Sequence, residues 1–200
     1  MIRVEKLSYY RGDRLVIDDL DCQLDSGELV LLTGANGVGK STLIQLIGGV
    51  LKPDSGQITI NGKDISSMKS KEQALLRSVA PQRREFSLAF RVIEMLELLP
   101  EKRRSFYVDS IIGALELAPL MEFRVTELSV GEQQRVSLAI SLMQEANFYL
   151  LDEPFSGQDS QSIERILNLL REIRNEKGVL VISHSAENLR PYFDREIKLA

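Results

Sequence analysis

The chain has 200 residues, 25 of them Lys or Arg and 29 Asp or Glu, giving a net charge of −4 with one cysteine and no tryptophan. That length supports one sizeable core, burying about 70% of the unfolded surface, and the mild acidity without a long basic run excludes a duplex-binding footprint, so no nucleic acid is expected as a partner. A single cysteine excludes an intrachain disulfide, and without a signal-peptide pattern or an apolar run of about 18 residues the chain reads as cytosolic and soluble.

Residues 1–26 alternate Leu, Val and Ile against polar residues, the pattern of half-buried strands, with Cys22 on the apolar side in a packing role. Residues 29–32 are instead continuously apolar and lead into G-x-x-x-x-G-K-S over residues 34–41, with a helix-period stretch at 43–51 behind it. Glycines there let consecutive backbone N–H groups turn inward on an anion, the helix aims its positive end at it, and Lys40 adds a mobile charge. Nucleotide is therefore the expected ligand, with Ser41 placed to hold Mg²⁺ through its hydroxyl. A turn at 52–56 and an alternating strand at 57–61 complete an antiparallel layer flanking the nucleotide.

Residues 78–80 form another short apolar run, ending before Gln82. The basic clusters that follow, Arg83 with Arg84 and then residues 102–104, lack interleaved aromatics and read as solvated faces or protein contacts. Helical periodicity then places Val92, Met95, Leu96 and Leu99 on one segment and Ile111, Ile112, Leu115 and Leu117 on another, separated by Pro100 and Pro119. Ser129 and Glu132 form S-x-x-E before an amphipathic helix carrying Val136, Ala139, Ile140 and Met143. A capping box explains that pattern by itself; the same helix start, with Ser129 and the bare backbone of Gly131, also offers a second anion site.

Residues 148–151 are apolar and deliver Asp152 and Glu153 at the end of a strand that reads as wholly buried. A buried carboxylate is costly unless compensated; Mg²⁺ between phosphates and Asp152 would do so, leaving Glu153 to orient or deprotonate a water. Asp159 is placed to cap the helix carrying Ile163, Ile166, Leu167 and Leu170, and a last apolar run at 179–182 ends before His184, the chain's one histidine. Alone, such a histidine could equally be a satisfied core residue. Four apolar runs, each ending in a residue able to do chemistry, predict a parallel sheet covered on both faces, with the ligand beyond the carboxyl ends of its strands.

Taken together these motifs resemble the nucleotide-binding subunit of an ATP-binding-cassette (ABC) transporter along nearly the whole chain. Residues 34–42 (Gly34, Ala35, Asn36, Gly37, Val38, Gly39, Lys40, Ser41 and Thr42) match that family's phosphate loop, Gln82 its glutamine switch, 128–133 its signature, 148–153 its magnesium and base motif, and His184 its histidine switch. The resemblance implies an α/β fold: a P-loop NTPase core with a parallel sheet, a flanking antiparallel β layer and an inserted α-helical subdomain at 86–146, all within one domain spanning 1–200. It implies ATP and Mg²⁺ as ligands, with Lys40 on the β- and γ-phosphates, Ser41 and Asp152 on the metal, Gln82 on the metal or attacking water, Glu153 as catalytic base and His184 at the γ-phosphate. Tyr10 takes the approximate place of the aromatic that stacks on adenine, with Tyr9 as its competitor. Ser129, Gly131 and Glu132 would meet ATP held by a second copy or a paralogue, and the 86–126 segment with the Gln82 loop would contact integral membrane permease subunits from the cytoplasmic face.

Two departures from the family pattern stand out: Val130 replaces a glycine and Glu132 a glutamine in the signature, and Gly157 and Gln158 replace Ala-Leu in the dimer-contact loop ahead of Asp159. The function implied is ATP hydrolysis energising membrane transport through ATP-dependent dimerisation. The alternative is a soluble ABC-type ATPase acting on a protein assembly or nucleic acid; a kinase on the same phosphate loop would leave the signature unexplained.

Overall fold

Strand patterning divides the molecule into two sheets, which the computed structural model describes for residues 1–82, 84–184 and 186–199. In chain order the strands are β1 (Ile2–Arg11), β2 (Arg14–Leu24), β3 (Leu29–Thr33), β4 (Ser55–Ile60), β5 (Lys63–Asp64), β6 (Arg77–Ala80), β7 (Phe148–Asp152), β8 (Gly178–Ile182) and β9 (Arg195–Lys198). The alternating strands form an antiparallel sheet ordered β2-β1-β4-β5, and the continuously apolar ones a parallel sheet ordered β6-β7-β8-β3-β9. The expected parallel core and flanking antiparallel layer are both present.

Burial on two faces explains why β3 and β7 are apolar up to their last residue and β8 throughout. β7 sends Phe148 and Leu150 into a core shared with the antiparallel sheet, and Tyr149 and Leu151 into a second core shared with helices. β8 divides in the same way, Leu180 and Ile182 against Val179 and Val181. Each such side chain contributes about 1.5–3 kcal/mol when fully buried, so a polar residue inside these runs would be costly on either face.

The helices are α1 (Lys40–Ile47), α2 (Ser70–Leu76), α3 (Val92–Glu97), α4 (Val108–Ala114), α5 (Val130–Met143), α6 (Ser160–Arg174) and α7 (Ala186–Leu189). Helices α3, α4 and α5 intervene between β6 and β7, and their buried residues belong to the same core as α6 and one face of the parallel sheet. α1 stops before the expected Leu51 because Gly48 and Gly49 follow; Gly49 takes a φ of 64 and the chain turns back. α4 likewise stops short, and Leu115 and Leu117 reach the core from the loop beyond it.

Three expectations need correction. α5 is not one-sided in its second half, since Val136, Ser137, Leu138, Ala139, Ser141, Leu142 and Met143 are all buried while Ile140 is only half-buried. Of its two buried serines, Ser141 is satisfied by backbone, its hydroxyl reaching Val79 O and Ser137 O at 3.2 Å while its carbonyl accepts from the Ser78 hydroxyl at 2.7 Å, whereas the Ser137 hydroxyl is buried without a hydrogen-bond partner. Arg84 is not a solvated charge; it is half-buried, and burial lowers its pKa. Arg83 lies outside the described residues. In the second basic cluster Lys102 is exposed, whereas Arg104 is half-buried and donates to Leu99 O at 3.1 Å.

Candidate functional site

The carboxyl ends of β3, β7 and β8 open into a cavity of about 510 Å³, within the size range of small-molecule sites. Its walls include Asn36, Gly37, Gly39, Lys40, Ser41 and Thr42 from the phosphate loop, together with Gln82, Asp152, Glu153 and His184. Residues separated by more than a hundred positions therefore converge, as the sheet topology predicts. Gly34, Ala35 and Val38 belong to the loop but do not line the cavity. Gly34, at φ 146, is fixed by packing, because a Cβ there would stand 2.7 Å from Leu199 O. Val38 packs into the core beside the antiparallel sheet.

The loop's backbone depends on its glycines. Gly39 precedes α1 at φ 110, a backbone few residues adopt, and its Cβ would meet Val16 at 3.1 Å. Lys40 is buried at 7% exposure, with Nζ donating to Gly34 O at 2.8 Å and Ala35 O at 3.0 Å. Those carbonyls hold the ammonium beside the cavity, and arriving phosphates would compete for it.

Opposite stand two carboxylates that are only 7% and 6% exposed, Asp152 and Glu153. Burial pushes the Asp152 pKa up, opposed by the Ser41 hydroxyl and the charges of His184 and Lys40. Burial also raises Glu153, opposed by the backbone N–H of His184, with Asp152 adding to the rise. Glu153 sits at φ 53, a left-handed conformation rare for a residue with a side chain, held by its N–H donating to Ile182 O at 3.1 Å. Its Oε2 accepts from His184 N at 3.2 Å, while His184 Nε2 lies 3.3 Å from Oε1 without hydrogen-bond geometry.

Asp152 Oδ1 and Glu153 Oε1 are buried without a hydrogen-bond partner. An orphaned carboxylate oxygen beside a serine hydroxyl is a donor set for a hard cation, and it fits Mg²⁺ shared with phosphate oxygens. No cluster of three or more His, Cys, Asp or Glu ligands occurs among the described residues, so the protein supplies only part of such a shell.

Two groups of expected residues lie outside this cavity. Ser129, Gly131 and Glu132 stand at the exposed start of α5, where Ser129 Oγ accepts from Glu132 N at 3.3 Å and Glu132 Oε2 accepts from Ser129 N at 2.8 Å. The capping box is thus formed in both directions. Gln158 Nε2 donates to Gly131 O at 3.0 Å, and Asp159 caps α6 through Ser162 N at 2.8 Å.

Tyr10 is the other outlier: it is 46% exposed and does not line the cavity. Counting by twos from buried Val4 sends position 10 inward, but β1 is bulged, with Lys6 at φ 46 and shifted pairing on both sides of Leu7. A one-residue slip turns every following side chain over, so Leu7 and Tyr9 face the core and Arg11 faces the cavity. Arg11, Arg14, Val16 and Gln45 are cavity residues that sequence reasoning missed. The positive φ demanded at Lys6 was the missing signal, and nothing about a lysine announces it.

Comparison with known proteins agrees with this fold. The sequence model of the ABC transporter family matches residues 17–156. A putative ABC transporter ATP-binding protein of Photobacterium profundum is 31% identical over the whole chain, which spans only 37% of that relative's length. The lipopolysaccharide export system ATP-binding protein LptB of Acidithiobacillus ferridurans is 36% identical over 89% of this chain and 76% of its own. A solved ATP-binding subunit of an ABC transporter superposes with a TM-score of 0.89 at 26% identity, covering 100% of this chain and 85% of that one. With a family model matching most of the chain, relatives above 30% identity and this fold, the chain belongs to the ABC transporter family as a nucleotide-binding cassette.

Proposed function

We propose that the chain hydrolyses ATP and works as one half of a pair, two cassettes closing on two nucleotides to drive a membrane-embedded partner. The observation that carries this is a division of the predicted site: residues of the 34–42 loop, Gln82, Asp152, Glu153 and His184 share one cavity, while exposed Ser129 and half-buried Gly131 lie outside it. The positive end of this helix start, lying outside the cavity, would serve as an anion site for a nucleotide held by another copy.

Within the cavity, Lys40 and the first turn of α1 would bind the phosphates. Ser41 and Asp152 would hold Mg²⁺, which when bound offsets phosphate charge. Glu153, its pKa raised by burial, would take the proton of the attacking water, and Gln82 and His184 would orient water and γ-phosphate.

Coupling to a partner has a physical route. Gln82 lines the cavity, and Arg84 two residues on lines a second groove of about 250 Å³ with Met95, Leu96, Leu98, Leu99, Ile140 and Met143. Leu98 is 68% exposed there, an apolar surface that a permease segment would cover at the cytoplasmic face of a membrane. No helix among the described residues is long and apolar enough to cross a membrane.

Sedimentation of the Glu153→Gln protein tests the pairing. The expected result is a dimer with ATP and Mg²⁺ and a monomer with ADP; the same mass in both nucleotides contradicts the closing mechanism.

A further inference from the structure

We propose that Arg11, not an aromatic ring, is the platform on which the nucleotide base rests, and that the cassette consequently binds nucleoside triphosphates with little regard to the base. The inference rests on the nucleotide reading above and concerns the end of the cavity away from the carboxylates.

Asp152 lies beside the Ser41 hydroxyl, whereas Arg11 Nη2 reaches Thr42 Oγ1 at 3.5 Å. Consecutive helix positions point about 100° apart, so carboxylates and arginine approach the first turn of α1 from different sides. Phosphates gripped by that turn, with the terminal one towards Asp152 and Glu153, leave the sugar and base to extend along the β1–β2 hairpin. Its cavity-facing residues are Arg11, Arg14 and Val16. No Phe, Tyr or Trp is among the described residues lining the cavity.

Those three residues suit a flat, apolar-faced ligand. Val16 is half-buried against Gly39, giving a floor next to the phosphate loop. Arg11 and Arg14 face each other directly across the hairpin, joined by Gly12 and Asp13, and neither makes an ion pair among the described residues. Like charges directly opposite one another destabilise a hairpin, and an entering nucleotide relieves that repulsion. A guanidinium is planar and stacks on π-faces, which every purine and pyrimidine offers, and it carries no acceptor with which to read a base edge. Stacking of this kind is tolerant of base identity.

The test measures Mg²⁺-ATP and Mg²⁺-GTP binding by calorimetry in the parent, Arg11→Ala, Arg11→Lys, Arg11→Tyr and Tyr10→Ala proteins. The parent is expected to bind the two nucleotides within about threefold, and Arg11→Ala to weaken both by about 5- to 100-fold, the usual loss of one stacking partner. Arg11→Tyr should restore ATP binding by supplying a flat surface, Arg11→Lys should not, and Tyr10→Ala should be silent. Rescue by Arg11→Lys would convert the residue into a simple phosphate counter-charge and overturn the proposal. So would a GTP affinity more than about thirtyfold weaker than that for ATP, or a Tyr10→Ala loss matching that of Arg11→Ala. A parent that binds both nucleotides while Arg11→Ala changes nothing overturns this inference alone; a parent that binds neither overturns the nucleotide reading as well.

Discussion

Arg77 joins the C-terminal end of α1 to β6, the strand that leads to Gln82, and removing its head group should cost several degrees of thermal stability. The side chain is 8% exposed; Nε donates to Ile47 O at 3.0 Å, and Nη2 donates to Gly48 O and to Gln73 Oε1. Ile47 and Gly48 are the last turn and cap of α1, whose carbonyls have no helical partner, so a guanidinium there satisfies them and meets the negative end of the helix dipole. Arg77→Met keeps the stem and removes the donors. Two buried carbonyls left unsatisfied cost about 1–3 kcal/mol each, partly offset because the buried cation no longer bears its own desolvation, for a net near 3 kcal/mol. At about 2–4 °C per kcal/mol for a domain of this size, the melting temperature should fall by about 6–12 °C. Thermal melts followed by far-UV circular dichroism would measure it, with Arg91→Met as the comparison. Arg91 pairs with Glu94 and Glu122 in full solvent, and its loss should move the melt by no more than about 2 °C. If Arg77→Met melts with the parent, the carbonyls find other donors and Arg77 does not hold α1.

The paired carboxylates make a pH prediction. Burial raises Asp152 and Glu153 above their ordinary values of 3.8 and 4.5, so the folded chain retains protons that the unfolded chain has released, and stability from these groups is lost as pH rises through the raised values. Without nucleotide, Asp152→Asn and Glu153→Gln should therefore melt above the parent near pH 8, with the gap closing towards pH 4; a variant that melts below the parent at pH 8 would show that burial does not penalise these charges. At the signature, Val130 is 82% exposed in an ordinary helical start, so Val130→Gly should change hydrolysis by less than about twofold, and a large gain would mean the valine impairs the site. Ser129→Ala should cost about 0.5–2 kcal/mol of stability through the lost cap, read by a thermal melt, and should also weaken the ATP-dependent pair; a variant that melts and dimerises as the parent does would assign Ser129 to neither role.

What was legible in the sequence was whatever a short pattern determines locally. The continuous apolar runs of β3, β7 and β8 signal burial on both faces, Ser129 with Glu132 signals its own cap, and the glycines before Lys40 signal a loop of positive φ. Cys22 also packs as its alternating strand implies, its thiol pushed up to about 11 by burial. Non-local geometry was less visible. The bulge at Lys6 exchanges Tyr10 for Arg11 at the cavity, and no residue type in that stretch requires it. Glu153 carries a left-handed backbone because its N–H is drawn to Ile182 O on the neighbouring strand, a contact that exists only once the sheet has formed. β9 pairs with β3 although its sequence is polar, since it is an edge strand flanked on one side only.

The most direct test of the account is phosphate release from saturating Mg²⁺-ATP by the Glu153→Gln protein beside the parent. Gln keeps the shape at φ 53 and the acceptor for His184 N but cannot take a proton, so hydrolysis should slow by about 10²–10⁴-fold while nucleotide still saturates the protein. Release at the parental rate would place the base elsewhere and contradict the assignment of this carboxylate as the group that deprotonates the attacking water.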